Sequence, residues 1–285
     1  MNEQQLTALW RYNAGSDAMV WQMMFTDNGD LIGQKRCLSK REAFFFALDT
    51  ATGNLFSDNY VLMNALQAIP AGEGWFTGLE TTSGNLAYCY ACQAYSPEHQ
   101  GLWAIDFRCG SMMWQRSDFT FIANLGEALL VCKTSLFNGF PERHFLRIDP
   151  LTGSELDQFP LDMAQVNTLR ADAAPEEVRQ QIFLPDVVHD GMANAQGMLQ
   201  RIGVSAASRC ELLVHDSFTI VAEHQYSSST ALWHSTLQVW KHNQPRYCDV
   251  MEESALQPSL NTMLLRGAKL YYVKEKSELI CVALS

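Results

Sequence analysis

Apolar residues in this chain come in short runs broken by turn-forming residues, the pattern of successive β-strands rather than of helices. Val20-Trp21-Gln22-Met23-Met24-Phe25-Thr26 is apolar enough for a strand covered on both faces. Asp27-Asn28-Gly29-Asp30 then predicts a hairpin turn, since Asn-Gly tolerates the positive φ such turns need. Residues 31–39 return, Lys40-Arg41-Glu42 turn the chain again, and Phe44-Phe45-Phe46-Ala47-Leu48 leads through Asp49-Thr50-Ala51-Thr52-Gly53 into a fourth strand. Four strands in about 40 residues is the size of one propeller blade.

That unit repeats. Leu102-Trp103-Ala104-Ile105-Asp106 is followed by Gly110 and Trp114, and His144-Phe145-Leu146-Arg147-Ile148-Asp149 by Thr152-Gly153. Residues 75–80 and 86–95 with the Asp106 motif form a second group, and 119–125 and 128–137 with the Asp149 motif a third. A fourth group (209–215, 219–226, 237–241) keeps the strand order but lacks the Asp and Gly, with His242-Asn243-Gln244-Pro245 as its turn. A fifth (262–266, 270–274, 279–284) ends one strand short, while the strand around Trp10 has no partner after it. Leu9-Trp10-Arg11 resembles Met113-Trp114-Gln115, so the N-terminal strand is expected to complete the last group. The sequence thus reads as all-β: residues 1–285 as one five-bladed β-propeller, closed in a way that removes two exposed strand edges.

Residues 160–207 break the pattern and read as a short helical insertion between blades three and four. Pro175 and the acidic pair Glu176-Glu177 predict a helix reaching Ile182. Asp190 is expected to cap a second helix, with Ala195, Met198, Leu199 and Ile202 on its apolar face and Gly203 at its end. A degenerate sixth blade is the competing reading.

The spacing apolar–apolar–Asp–x–x–Thr–Gly–x–x–x–aromatic resembles the repeats of the pyrroloquinoline-quinone-type propellers. The match lies at Leu48, Asp49, Thr52 and Gly53, and at Ile148, Asp149, Thr152 and Gly153; at Ile105, Asp106, Gly110 and Trp114 it holds with Cys109 in place of Thr. The layout also resembles an uncharacterised bacterial family of small propellers. The resemblance implies a repeat type and no active site. The quinoprotein enzymes carry more blades, a disulfide between neighbouring cysteines and a metal beside the cofactor, whereas this chain has no Cys-Cys pair, so no cofactor is expected. The motif's Asp suits a turn, where it accepts from the turn's own N–H groups.

Composition narrows the picture. Of 285 residues, 47% are hydrophobic and 18% charged, enough apolar material for a sizeable core. The formal charge of −11 disfavours nucleic acid as a partner. No apolar run of about 18 residues exists, so no membrane span is expected. The first residues lack the basic flank and apolar core of a secretory signal, which points to the cytoplasm and to the eight cysteines as small buried groups rather than disulfide partners.

Catalytic motifs are missing. Cys89-Tyr90-Ala91-Cys92 falls mid-strand, where residues three apart face opposite ways, and no second Cys pair completes a zinc set, so no metal site is assigned. His215-Asp216 and His189-Asp190 have no nucleophile at a recognisable motif, and neither a P-loop nor a G-x-G-x-x-G is present. No catalytic residue is therefore named. In a propeller, connections 59–74, 96–100, 138–143, 160–207 and 227–235 would share one face, opposite the tight turns. A binding surface is expected there, with Glu73, His99, Arg143, Asp186, His189, Trp233 and His234 in reach. The expected function is that of a non-catalytic binding or scaffold protein for an unidentified protein or small-molecule ligand, with neither nucleic acid nor membrane as partner. The alternative is a glycan-processing hydrolase drawing on Asp17, Glu80, Glu211 and Asp186, which needs two channel carboxyl groups about 5–10 Å apart.

Overall fold

The computed structural model describes residues 5–93, 95–189, 192–204 and 208–284, and most of them lie in β-strands. The repeated Asp motif builds the turns between them. Asp49 Oδ1 accepts the N–H groups of Ala51 (2.6 Å) and Thr52 (3.2 Å), while Gly53 donates to the Asp49 carbonyl (2.7 Å) at a φ of 75°. Asp149 does the same for Leu151 and Thr152 at 2.7 and 3.0 Å. In the copy with Cys109, Asp106 holds only the Arg108 N–H, at 2.9 Å, and Cys109 Sγ turns back to the Asp106 carbonyl.

The chain forms two compact units, one of Asp17–Gln180 and the other of Gln181 onward together with the residues before Asp17. In the first, Ala18–Phe25, Leu31–Cys37, Glu42–Leu48 and Leu55–Tyr60 form one antiparallel meander. Thr77–Ser83, Leu86–Gln93, Ser96–Asp106 and Ser111–Arg116 form a second. Phe45, Leu79, Cys89, Trp103, Ile105 and Phe107 join these sheets in one buried cluster.

The third sheet of this unit has only three strands, Phe119–Asn124, Leu129–Phe137 and Phe140–Ile148. Its expected fourth strand is reduced to two isolated bridges, Ile148 with Glu155 and Phe145 with Leu161. The cause is local: Asp157 places a carboxylate oxygen 2.6 Å from the Arg147 N–H, taking the donor a neighbouring strand would have used. The same carboxylate also holds the Arg147 guanidinium.

In the second unit, Arg209–His215, Phe218–Ser227, Leu232–Lys241 and Gln244–Ala255 make one meander and Met263–Arg266, Lys269–Lys274 and Glu278–Ala283 another. Ala8–Asn13 pairs antiparallel with Glu278–Ala283, with Trp10 opposite Cys281, so the N-terminal strand completes the last sheet. The turn after Lys241 is tighter than the expected four residues. His242 and Asn243 both take positive φ (50° and 62°), giving a two-residue hairpin, and Gln244 and Pro245 already belong to the next strand.

Residues 160–207 contain three helices among the described residues. The helix expected from Pro175 to Ile182 is only one turn, Glu176–Arg179. The second runs Ala193–Arg201, buries Ala195 and Leu199, and is followed by Gly203 at a φ of 79°; its expected cap, Asp190, lies outside the described residues. A third, Met163–Asp172, went unread although Asp162 and Gln165 form a capping box at its start. Two-residue strands, Ile182–Phe183 and Asp186–Val187, extend the first-strand edges of the two sheets of the second unit. The described part of 160–207 therefore adds to existing sheets and builds none of its own. Its earlier part is fastened to the first unit: Glu176 accepts from Thr81 Oγ1 (3.0 Å), and Gln180 Oε1 accepts from the Phe25 N–H (2.9 Å).

All eight cysteines are unpaired. Among the described residues no helix is long and apolar enough to cross a membrane.

Candidate functional site

Three of the five connections expected to be elaborate are short, because strands run further than their composition suggests. The described strand Ser96–Asp106 already includes His99, Phe140–Ile148 includes Arg143, and Leu232–Lys241 includes Trp233 and His234. Polar residues extend these strands because ladder hydrogen bonds, not side-chain burial, hold the outer rungs.

In the first unit the expected residues have separate surroundings. Glu73 lies in a turn at a φ of 56°, exposed, on the wall of a cavity of 490 Å³ with Ile69, Pro70, Gln93, Gln100 and Trp103. His99, one residue from Gln100 and so on the opposite strand face, stacks on Tyr90 (centroids 3.5 Å apart, planes 11° apart), and its Nδ1 pairs with Glu80. Arg143 makes a solvent-exposed pair with Glu98 at 3.5 Å. Burial raises the Tyr90 phenol above its ordinary value, with Glu80 adding to the effect.

In the second unit, Asp186 does line a groove. The groove measures 750 Å³, between the stretch Ile182-Phe183-Leu184, the start of the Ala193–Arg201 helix, and the strand Arg209–His215. Phe183, Leu184 and Val214 are about half exposed along it, and Phe183 is steadied by His215 at 4.7 Å. Met198 and Leu212 also line it, and Asn194 supplies an amide. Asp186 is exposed and forms no ion pair among the described residues. His189 stands outside this lining, its carbonyl accepting the Met192 N–H at 3.0 Å. Trp233 packs on Tyr226 (5.4 Å), and His234 Nδ1 reaches the Glu253 carbonyl at 3.3 Å; neither lines the groove. Sequence reasoning missed Phe183, Leu184, Asn194 and Val214. The Ile182-Phe183-Leu184 run beside the insertion was the signal that could have found them.

The acids considered for glycan hydrolysis are each engaged, apart from Asp186. Asp17 accepts from Ser39 and from Cys37, which lower its carboxyl below the ordinary range. Glu80 is held by His99. Glu211, fully buried, accepts the Asn261 N–H at 2.7 Å and lies 3.3 Å from His224 Nε2. His224 Nδ1 in turn shares a hydrogen bond with Ser235 Oγ at 2.8 Å. This Glu–His–Ser chain resembles a hydrolytic triad on paper. His224 and Ser235, however, are direct cross-strand partners at 0% and 1% exposure, beside a void of only 10 Å³. No substrate carbonyl fits there, and the chain serves to satisfy buried polar groups. Among the described residues, no group of three or more His, Cys, Asp or Glu side chains is arranged to hold a metal ion.

Comparison with known proteins adds little chemistry. Residues 26–114 match the profile of a family described as "Domain of unknown function (DUF4905)". No curated protein sequence matches. Among solved structures, the chain is similar to an acylaminoacyl peptidase from Pyrococcus horikoshii (10% identity, 90% of this chain and 36% of that one, TM-score 0.30). It is also similar to the AtxE2 isopeptidase (10%, 94% and 51%, TM-score 0.43) and to an oligogalacturonate lyase in complex with manganese (10%, 98% and 96%, TM-score 0.32). The chain thus spans about a third of the first of these proteins and half of the second.

Proposed function

We propose that this protein is a non-catalytic binding protein of the cytoplasm, with its ligand site in the groove beside Asp186. The occupant is a small amphipathic cation, an apolar body with an ammonium head. The observation that carries this reading is the groove itself: a half-exposed apolar rim of Phe183, Leu184 and Val214 around a carboxylate that has no ion-pair partner among the described residues. Its volume of 750 Å³ lies within the range of small-molecule sites. A net charge of −11 favours the approach of a cation.

The framework we infer is a single five-bladed propeller of quinoprotein-type repeats, with 160–207 as its insertion. Five meander sheets in chain order and an N-terminal strand on the last of them support it.

The test compares phenethylamine with its neutral analogue 2-phenylethanol by calorimetric titration, on the unmodified protein and on Asp186→Asn. Phenethylamine is expected to bind more tightly than the alcohol, with the preference lost in Asp186→Asn. Equal affinity for the two compounds, or an unchanged preference in the variant, sinks the proposal.

A further inference from the structure

The first unit contains a half-buried cation without a counter-ion among the described residues. Arg36 stands on the strand Leu31–Cys37, and its guanidinium carbon lies 4.2 Å from the centroid of Trp21 and 5.1 Å from that of Trp75. Its Nη2 makes only a 3.5 Å contact, to the Thr77 carbonyl, and its Nε is buried with no acceptor. The Thr77 carbonyl is already taken by Gln34 Nε2 at 2.7 Å. Gln34 Oε1, also buried, has no donor.

Other part-buried cations of this unit are answered by acids: Lys35 by Asp58 at 2.7 Å, Arg116 by Asp118 at 3.0 Å, Arg179 by Glu176 at 3.4 Å. Arg36 meets no carboxylate among the described residues, in a chain with eleven more acids than bases. Burial holds its guanidinium below the ordinary value, against smaller opposing influences from Tyr90 and Cys92.

The aromatic walls are placed by backbone irregularities. The register between Ala18–Phe25 and Leu31–Cys37 shifts between Val20 and Gln22, so Trp21 is a bulged residue, and it is 49% exposed. Bulges re-aim side chains and recur next to functional sites. Trp75 follows a turn in which Gly72 and the non-glycine Glu73 both take left-handed φ (54° and 56°). A backbone held in that region by a side-chain-bearing residue is costly and clusters where position matters.

We propose that Trp21, Arg36 and Trp75 form a binding site for a carboxylate attached to an apolar or aromatic group. Both indoles lie within cation–π distance of the guanidinium, and its nitrogen edge, with one long contact, is the part offered to the ligand. That edge is a planar fork matched to the two oxygens of a carboxylate. The indole faces then receive the ligand's apolar part, with Trp21 as the accessible wall. A tetrahedral phosphate would satisfy the charge but not offer the planar pair of oxygens that the fork matches.

Benzoate, titrated while indole emission is followed, tests this directly, with benzamide as the uncharged isostere and inorganic phosphate as the non-planar anion. The expected result is a saturable change with benzoate that is absent with benzamide and weaker with phosphate. In Arg36→Gln, benzoate affinity is expected to fall at least about tenfold. Trp21→Phe should weaken binding less and reduce the emission change. An undiminished benzoate response in Arg36→Gln, or an equal one with benzamide, overturns the proposal, as does the absence of any response in the unmodified protein. Tighter binding of phosphate than of benzoate reassigns the site to another anion class and refutes the carboxylate. Should Arg36→Gln fail to fold, Arg36→Lys replaces it, and undiminished affinity there is equally decisive against the fork. The Asp186 groove lies in the other unit, so Asp186→Asn is expected to leave benzoate binding unchanged.

Discussion

Trp10 offers a direct measure of how much the N-terminal strand contributes. It is 7% exposed, sits opposite Cys281 in the ladder with Glu278–Ala283, and places its ring 5.8 Å from that of Tyr271, itself 1% exposed. Burial of an aromatic side chain of about 200 Å² at about 25 cal/mol per Å² contributes roughly 5 kcal/mol. Large-to-small replacement in a core costs about 3–5 kcal/mol, so the two routes agree for Trp10→Ala. In domains of 150–250 residues each kcal/mol lowers Tm by about 2–4 °C, and a fall on the order of 10 °C is expected. Differential scanning calorimetry reads this, with Arg11→Ala as the control. Arg11 shares the strand but faces outward, and its 3.5 Å pair with Glu278 is half exposed, so its removal should cost about 0–1 kcal/mol. Removing the chain through Ala14 should cost more and promote association, because it bares the edge of Glu278–Ala283 with Leu279, Ile280 and Val282 behind it. If Trp10→Ala and Arg11→Ala melt alike, the strand is an appendage rather than part of the sheet.

Two further outcomes follow from single contacts. A methyl group at Gly33 would stand 2.1 Å from the fully buried ring of Phe46, so Gly33→Ala should destabilise by about 1–3 kcal/mol or more in urea melts. The penalty should shrink in a Phe46→Leu background, and an unchanged penalty there refutes the clash. The Arg147 guanidinium holds the Asp157 carboxyl below its ordinary value. A lowered folded pKa means this stabilisation is fully present above the unfolded value and is lost as pH falls through the folded one. Stability should thus drop below about pH 4, and Asp157→Asn should lessen that slope; an identical acid profile counts against the pairing.

Much of the sheet order was legible because it rests on local chemistry. Asn28-Gly29, Asp49 to Gly53 and Asp149 to Gly153 specify turns through their own φ preferences and side-chain acceptors, and the apolar runs between them had few other conformations open. Strand lengths were less legible. Arg143, Trp233 and His234 sit in polar stretches that read as loops, yet the neighbouring strand's N–H and C=O groups extend the ladder through them, while His99 lies in the same strand as Ser96 and Gln100 at a shift of register. The missing fourth strand of the third sheet was hidden for the opposite reason, since a single Asp157 side chain takes over a ladder bond. Of the seven candidate site residues, only Asp186 lines the groove, because the groove's other walls come from a helix and a strand well separated in sequence.

By itself, then, the sequence determined the elements: the repeated strand-turn grammar, the turn role of its aspartates, and the apolar face of the Ala193–Arg201 helix. All of these depend on contacts within a few residues. Tertiary structure decided which groups meet across strands. The Glu211–His224–Ser235 chain, the pairing of Ala8–Asn13 with Glu278–Ala283 and the indole walls around Arg36 join residues from 11 to more than 260 positions apart. Such meetings depend on register, on bulges such as that at Trp21 and on shared burial, which no local pattern of residue types encodes.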